Sequence, residues 1–227
     1  MRKALIQIST LLLVGCAQQV APTGGPKDET PPEILSEVPA NLSTEFDSKE
    51  IVISFDEFIQ LKSASEQVVI SPPMLQSPTY QLKQKSLVVK FEQELSPNTT
   101  YTINFGDAIS DYTRGNKIPD FKYVFSTGEF LDSMATSGKI IDAFSDEPKE
   151  DALVMLYEDF EDSIVSKSKP VYYAKTNKTG QFNINYIKAG FYKMVALEDK
   201  NRNFKYDLPN EMIGSLDSLL NLKDTNS

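Results

Sequence analysis

The chain has 227 residues and a formal net charge of −9, with no histidine, no tryptophan and a single cysteine, Cys16. Without histidine or a second cysteine there is no Ser-His-Asp triad, Cys-His nucleophile, His-ligated zinc or structural disulfide. An acidic balance without a basic run also argues against nucleic acid as a partner, because phosphate binding needs clustered Lys and Arg. Paired carboxylates, a lysine or a tyrosine remain available for chemistry, as do oxygen-ligated cations such as Ca2+.

In chain order, Arg2 and Lys3 precede an apolar run from Ala4 to Gly15, which ends at Cys16. That run is too short to cross a ~30 Å hydrocarbon core as a helix. It has the proportions of a secretory signal, which is removed rather than folded. The tetrapeptide Leu13-Val14-Gly15-Cys16 resembles the bacterial lipoprotein signal, in which the cysteine thiol is diacylglycerated and becomes the new N-terminus. The resemblance implies loss of residues 1–15, lipidation of Cys16 and attachment to a membrane of the cell envelope, with the outer membrane expected. At ~0.8 kcal/mol per buried methylene, two or three acyl chains hold a protein there almost permanently. Cleavage takes Arg2 and Lys3 away, so the charge moves from −9 to −11. Repulsion from anionic lipid then keeps the globular part off the surface.

Residues 16–32 carry four prolines and the pair Gly24-Gly25 without hydrophobic periodicity. They predict a flexible tether with a reach of roughly 50 Å at ~3.1 Å per residue. Ala17, Gln18 and Gln19 lack the acidic cluster expected of a surface-export signal, which favours the periplasmic face slightly and leaves the choice open.

From Ile34 the pattern is β. Ile51, Ile53 and Phe55, then Tyr101, Ile103 and Phe105, then Phe121, Tyr123 and Phe125, each alternate with other residues; Val68–Ile70 and Leu87–Val89 are short apolar runs. Pro, Asn, Asp or Gly bounds each run, and about seven such strands read as a sandwich over 33–128. A second set follows over 129–213. Gly138–Ile141, Leu153–Tyr157, Val171–Ala174, Phe182–Ile184 and Phe191–Leu197 alternate with turns such as Asn177-Lys178-Thr179-Gly180. The predicted fold is all-β, two tandem antiparallel sandwiches. Residues 214–227 show no strand and are expected to be a polar tail or the start of a further region.

Residues 96–128, together with 22–35 and 51–73, resemble a bacterial Ig-like domain of the S-layer type, as found at the N-terminus of Bacteroidota lipoproteins. Residues 136–213, through GKIIDAF, the TNKTGQFNINYIKAGFYKMVALEDKNRN block and YDLPNEMIG, resemble the transthyretin-like, carboxypeptidase regulatory-like sandwich. In such families these modules are spacers, stalks or binding platforms. The resemblance therefore implies a non-catalytic envelope protein that acts as a spacer or binds protein or glycan, with a carbohydrate-binding accessory of a glycan-uptake system as the alternative. Tyr112 and Tyr173 would then be the sugar-facing aromatics.

Four local patterns bear on sites. Asp199, Asn201, Asn203, Asp207 and Glu211 follow the opening of a Ca2+ loop, although Phe204 stands where such a loop needs glycine and the last acid falls one position late. The segment Gly106–Asn116 is long for a hairpin connection and offers Asp107, Asp111 and Arg114 either to a partner or to Asx turns. The carboxylates Asp56/Glu57 and Glu158/Asp159/Glu161/Asp162 invite a glycosidase reading, but neighbours on a strand point to opposite faces and cannot flank one bond. Ser133, Ser163 and Ser218 sit in Asp-Ser-apolar tripeptides like those O-glycosylated in exported proteins of such bacteria. No other cofactor is expected.

Overall fold

Apolar side chains at every second position build the strands of the computed structural model, which describes residues 27–119 and 121–223. The predicted signal, Cys16 and the tether up to residue 26 lie outside the described residues. The first half contains β1 (Ile34–Val38), β2 (Glu50–Phe55), β3 (Ile59–Leu61), the one-turn helix α1 (Ala64–Gln67), β4 (Val69–Ser71), β5 (Thr79–Lys83), β6 (Ser86–Lys90), β7 (Thr100–Asn104), β8 (Ile109–Asp111) and β9 (Lys122–Ser126). An antiparallel sheet in the order β1-β2-β6-β5 packs on a second in the order β4-β7-β9, and β3 pairs with β8.

Ile51, Ile53 and Phe55 of β2 and Leu87 and Val89 of β6 meet Tyr101, Ile103 and Phe125 of the opposite sheet in one core. Phe125 is its centre: the Phe46 ring lies 4.1 Å away and Tyr101 stacks at 5.3 Å. Each such buried side chain contributes about 1.5–3 kcal/mol. That burial holds a sandwich which has no disulfide.

The second half contains β10 (Met134–Lys139), β11 (Leu153–Tyr157), α2 (Ile164–Lys167), β12 (Tyr172–Lys175), β13 (Gln181–Ile187), β14 (Gly190–Leu197), β15 (Ile213–Ser215) and β16 (Leu220–Leu222). A β10-β13 ribbon faces a sheet in the order β12-β11-β14-β15, with β16 also on β14. All five residues of β11 are buried because the strand is central and covered on both faces, so it reads as a continuous apolar run. The turn between β12 and β13 needs Gly180: its φ is +75°, and a Cβ there would lie 2.4 Å from the Ile140 carbonyl oxygen.

The all-β architecture agrees with the sequence, and four details differ. Gly106–Asn116 is ordered by Asx-type bonds to Asp111, as one of its two readings expected, and in addition contains the buried strand β8. β5 is a mostly exposed edge strand whose only alternating apolar pair is half-buried Tyr80 with Leu82, too short a signal to predict it. Residues 213–222 are not a strandless tail: Val195–Leu197 pair with β15 and Gly190–Tyr192 with β16, so the second unit continues to Leu222. The predicted tether is attached before its end, because the Asn116 amide donates to the carbonyls of Asp28 (3.2 Å) and Thr30 (3.1 Å).

The two halves meet at two sheet edges. β4 ends one sheet and β12 ends another, and one outward N–H of each is satisfied by a side chain of the other. The Ile70 N–H donates to the Tyr173 hydroxyl at 3.2 Å, and the Tyr173 N–H donates to the Ser71 hydroxyl at 3.3 Å. Open edges are templates for unwanted pairing, and side-chain oxygens close these two. Lys175 reaches the Glu66 carbonyl at 2.9 Å and Arg202 pairs with the Glu66 carboxylate at 2.8 Å. Among the described residues no helix is long and apolar enough to cross a membrane.

Candidate functional site

Beside this junction lies a cleft of about 940 Å3, at the upper end of the range for small-molecule sites. One wall is the outer face of β7 and β9, where Thr102 and Asn104 alternate with buried Tyr101 and Ile103, and Lys122 stands opposite Asn104. The other wall is the β10-β13 ribbon, where Gln181, Asn183 and Asn185 alternate with buried Phe182 and Ile184. Ser137 and Lys139 complete that wall. Gly138 lies between them because the Phe182 ring crosses it, and a Cβ there would meet that ring at 2.8 Å.

Several polar groups of the cleft are uncommitted. Among the described residues, the side chains of Thr102, Ser137, Asn183 and Asn185 make no hydrogen bond, whereas Asn104 accepts from the Gly106 N–H at 2.9 Å. Its charges nearly cancel. Lys175 pairs with Asp151 at 3.1 Å and Asp107 with Lys117 at 2.8 Å, which leaves Lys122 and Lys139 beside Glu150. The sequence reading missed these residues. The alternation of amides with Phe182 and Ile184 was visible, but the wall opposite them was not.

The five residues proposed for Ca2+ do come together, in a loop that closes on itself. Asp199 accepts from the N–H groups of Arg202 (2.7 Å), Asn203 (3.3 Å) and Phe204 (2.8 Å). Asn201 and Asn203 turn their NH2 groups toward Asp207, at 3.0 and 2.7 Å. Buried Glu211 accepts from the N–H groups of Lys200 (3.1 Å), Asp207 (3.1 Å) and Leu208 (3.0 Å). The carboxylate oxygens already face N–H donors and two of the five side chains present NH2, so the set does not fit a cation as arranged. Phe204, at the position where a Ca2+ loop needs glycine, packs edge-on to Tyr173 with centroids 4.7 Å apart. Glu211→Gln is expected to cost about 2 kcal/mol, since one oxygen becomes an NH2 group facing backbone donors. Urea denaturation measures this, and added Ca2+ leaves the midpoint unchanged if the loop is as described.

Asp111 is fully buried and accepts from the N–H groups of Arg114, Gly115 (3.1 Å) and Asn116 (2.6 Å). Burial pushes its carboxyl up, but the N–H groups of Arg114, Asn116, Gly115 and Thr113 outweigh that and hold it below the ordinary carboxylate range. Asp111 therefore organises this segment and is not offered to a partner. Tyr173 is likewise not a sugar platform: it is 7% exposed, its hydroxyl is engaged, and burial raises its pKa to about 12. Tyr112 is 72% exposed.

The acidic residues do not converge on a shared site. Asp162 is tied to Lys193 at 2.5 Å, whose hydrogen bond lowers its pKa, and Glu161 pairs with Lys167 at 3.4 Å. Asp56 accepts from the Glu33 N–H at 2.8 Å. Among the described residues no group of three or more His, Cys, Asp or Glu is placed to hold a metal. Ser133, Ser163 and Ser218 are all exposed.

No curated protein sequence matches the chain. Among solved structures, an L,D-transpeptidase from Mycobacterium smegmatis is similar at 13% identity and TM-score 0.29, over 73% of this chain and 76% of that one. The N-terminal part of the bacterial S-layer protein SbsC is similar at 13% identity and TM-score 0.30, over 82% of this chain and 44% of that one. At these scores neither likeness carries an argument about function. Residues 28–127, the span of the first sandwich, match the family model of the bacterial Ig-like domain.

Proposed function

We propose that the protein is a lipid-anchored, non-catalytic structural module of the bacterial cell envelope, held by acyl chains on Cys16 and spacing or presenting its sandwiches away from the membrane. The observation that supports it best is the edge-to-edge junction. Tyr173, Ser71 and the backbone of Ile70 link two sandwiches through buried contacts rather than through a free linker. A spacer needs that stiffness, whereas an enzyme needs convergent reactive groups. The second sandwich is read as transthyretin-like on its sequence resemblance, and the anchor is assigned to the outer membrane.

Cys16→Ala is the direct test. It removes the thiol that would carry the lipid, so the protein is expected to move from the membrane fraction to the soluble envelope fraction at unchanged fold. Retention of the variant in the membrane fraction would overturn the anchor. Protease treatment of intact and lysed cells then assigns the face: digestion before lysis puts the sandwiches outside, and protection until lysis puts them in the periplasm.

A further inference from the structure

We infer that the cleft between the two sandwiches is a binding site for a neutral, hydroxyl-rich oligosaccharide, held by Asn104, Asn183 and Asn185 with Thr102 and Ser137. This goes beyond the spacer reading and does not depend on the anchor. Side-chain amides donate and accept at neighbouring atoms, which matches the paired donor and acceptor character of adjacent sugar hydroxyls. The walls supply such groups from two directions, on rigid strands rather than on loops. Four of the polar side chains involved make no hydrogen bond to other described residues, so a ligand exchanges with water there without breaking bonds within the protein.

The same geometry disfavours other occupants. An extended peptide is read through main-chain groups at a free sheet edge, with pockets for its apolar side chains. Here β7 is the middle strand of its sheet; β10 and β13 are edge strands of their ribbon, but the apolar residues beneath the cleft, Phe182, Ile184 and Tyr173, are 8%, 3% and 7% exposed and leave no pockets for apolar side chains. An anionic ligand needs surplus positive charge. Lys122 and Lys139 exceed Glu150 by a single charge and Lys175 is already paired with Asp151, so the surplus is small.

The test uses the full chain in detergent, applied to an array of neutral, carboxylated and phosphorylated oligosaccharides together with a set of peptides, and then titrated with the strongest neutral hit. Neutral oligosaccharides are expected to bind. Asn183→Ala combined with Asn185→Ala is expected to weaken that binding by roughly tenfold or more, the loss represented by one or two side-chain hydrogen bonds. Gln81→Ala on β5, outside the cleft, is expected to leave it unchanged. Circular dichroism melts verify that both variants are folded. The inference is overturned if no neutral oligosaccharide binds, if only the acidic sugars or the peptides bind, or if binding is indifferent to the cleft substitutions. Failure here leaves the Cys16→Ala result unaffected, so the two readings are separable.

Discussion

Asp111→Ala is expected to destabilise the first sandwich by about 3 kcal/mol, because it strips several backbone N–H groups of their acceptor inside a closed site. The effect extends along the chain. The Asp111 carboxylate fixes the N–H of Asn116, and the Asn116 amide holds the carbonyls of Asp28 and Thr30. Its loss therefore frees the lead-in as well as the turn. Limited proteolysis is expected to cut near residues 27–33 in the variant and to spare them in the parent chain. Asp111→Asn separates charge from shape: it keeps one oxygen but turns an NH2 group toward an N–H donor. The acid dependence has a definite sign. A carboxyl whose folded pKa is lowered contributes stability that is fully present above the unfolded value of about 4, and this is lost as pH falls through the folded value. Toward acid, the parent chain is therefore expected to lose more stability than Asp111→Asn. Thermal melts at neutral and acid pH read that difference. An unchanged gap between the two proteins across that window would show that the charge of Asp111 is not what holds the turn.

How much of this was legible in the sequence depended on where each strand lies. Strands with one covered face announced themselves: Ile51, Ile53 and Phe55 alternate with their neighbours because only alternate positions meet the core. Leu153–Tyr157 was found as a continuous apolar run because both its faces are covered. The failures are edges and short pieces. Thr79–Lys83 offers only Tyr80 and Leu82 as an alternating pair, too short a period to stand out, and Ile109–Asp111 is only three residues inside a turn-rich stretch. Leu220–Leu222 looked like tail because its partner, Gly190–Tyr192, is distant in sequence. The same limit applies to sites. The oxygen donors from Asp199 to Glu211 were visible, but not that backbone N–H groups of the same loop occupy them. The cleft needs Asn104 and Asn183 brought together from different sandwiches, and that information lies in tertiary packing alone.

Tyr173→Ala is expected to be the most damaging single change at the junction, at about 4 kcal/mol, within the range for deleting a buried aromatic. Three contributions add there. The ring leaves a void beside Phe204, at 4.7 Å, and partly buried Val69. The Ile70 N–H, which points away from β7 at the sheet edge, loses its acceptor. The third is the packing of the ring across the two edges; the main-chain Tyr173 N–H still donates to Ser71 in the variant and alone holds the edges there. Tyr173→Phe isolates the second contribution: it keeps the ring, removes the hydroxyl and is expected to cost about 1–2 kcal/mol. If the junction makes the two sandwiches one cooperative unit, calorimetry of the parent chain shows a single transition. Tyr173→Ala then splits it, with one sandwich melting earlier, while Tyr173→Phe shifts it without splitting. Two transitions already present in the parent chain would mean that the contacts among Ile70, Ser71 and Tyr173 do not couple the units. The stiffness on which the spacer reading depends would then have to come from elsewhere. Splitting also has a consequence for the cleft, because its walls belong to different sandwiches. A variant that uncouples them is expected to lose oligosaccharide binding even though Asn104, Asn183 and Asn185 are all intact.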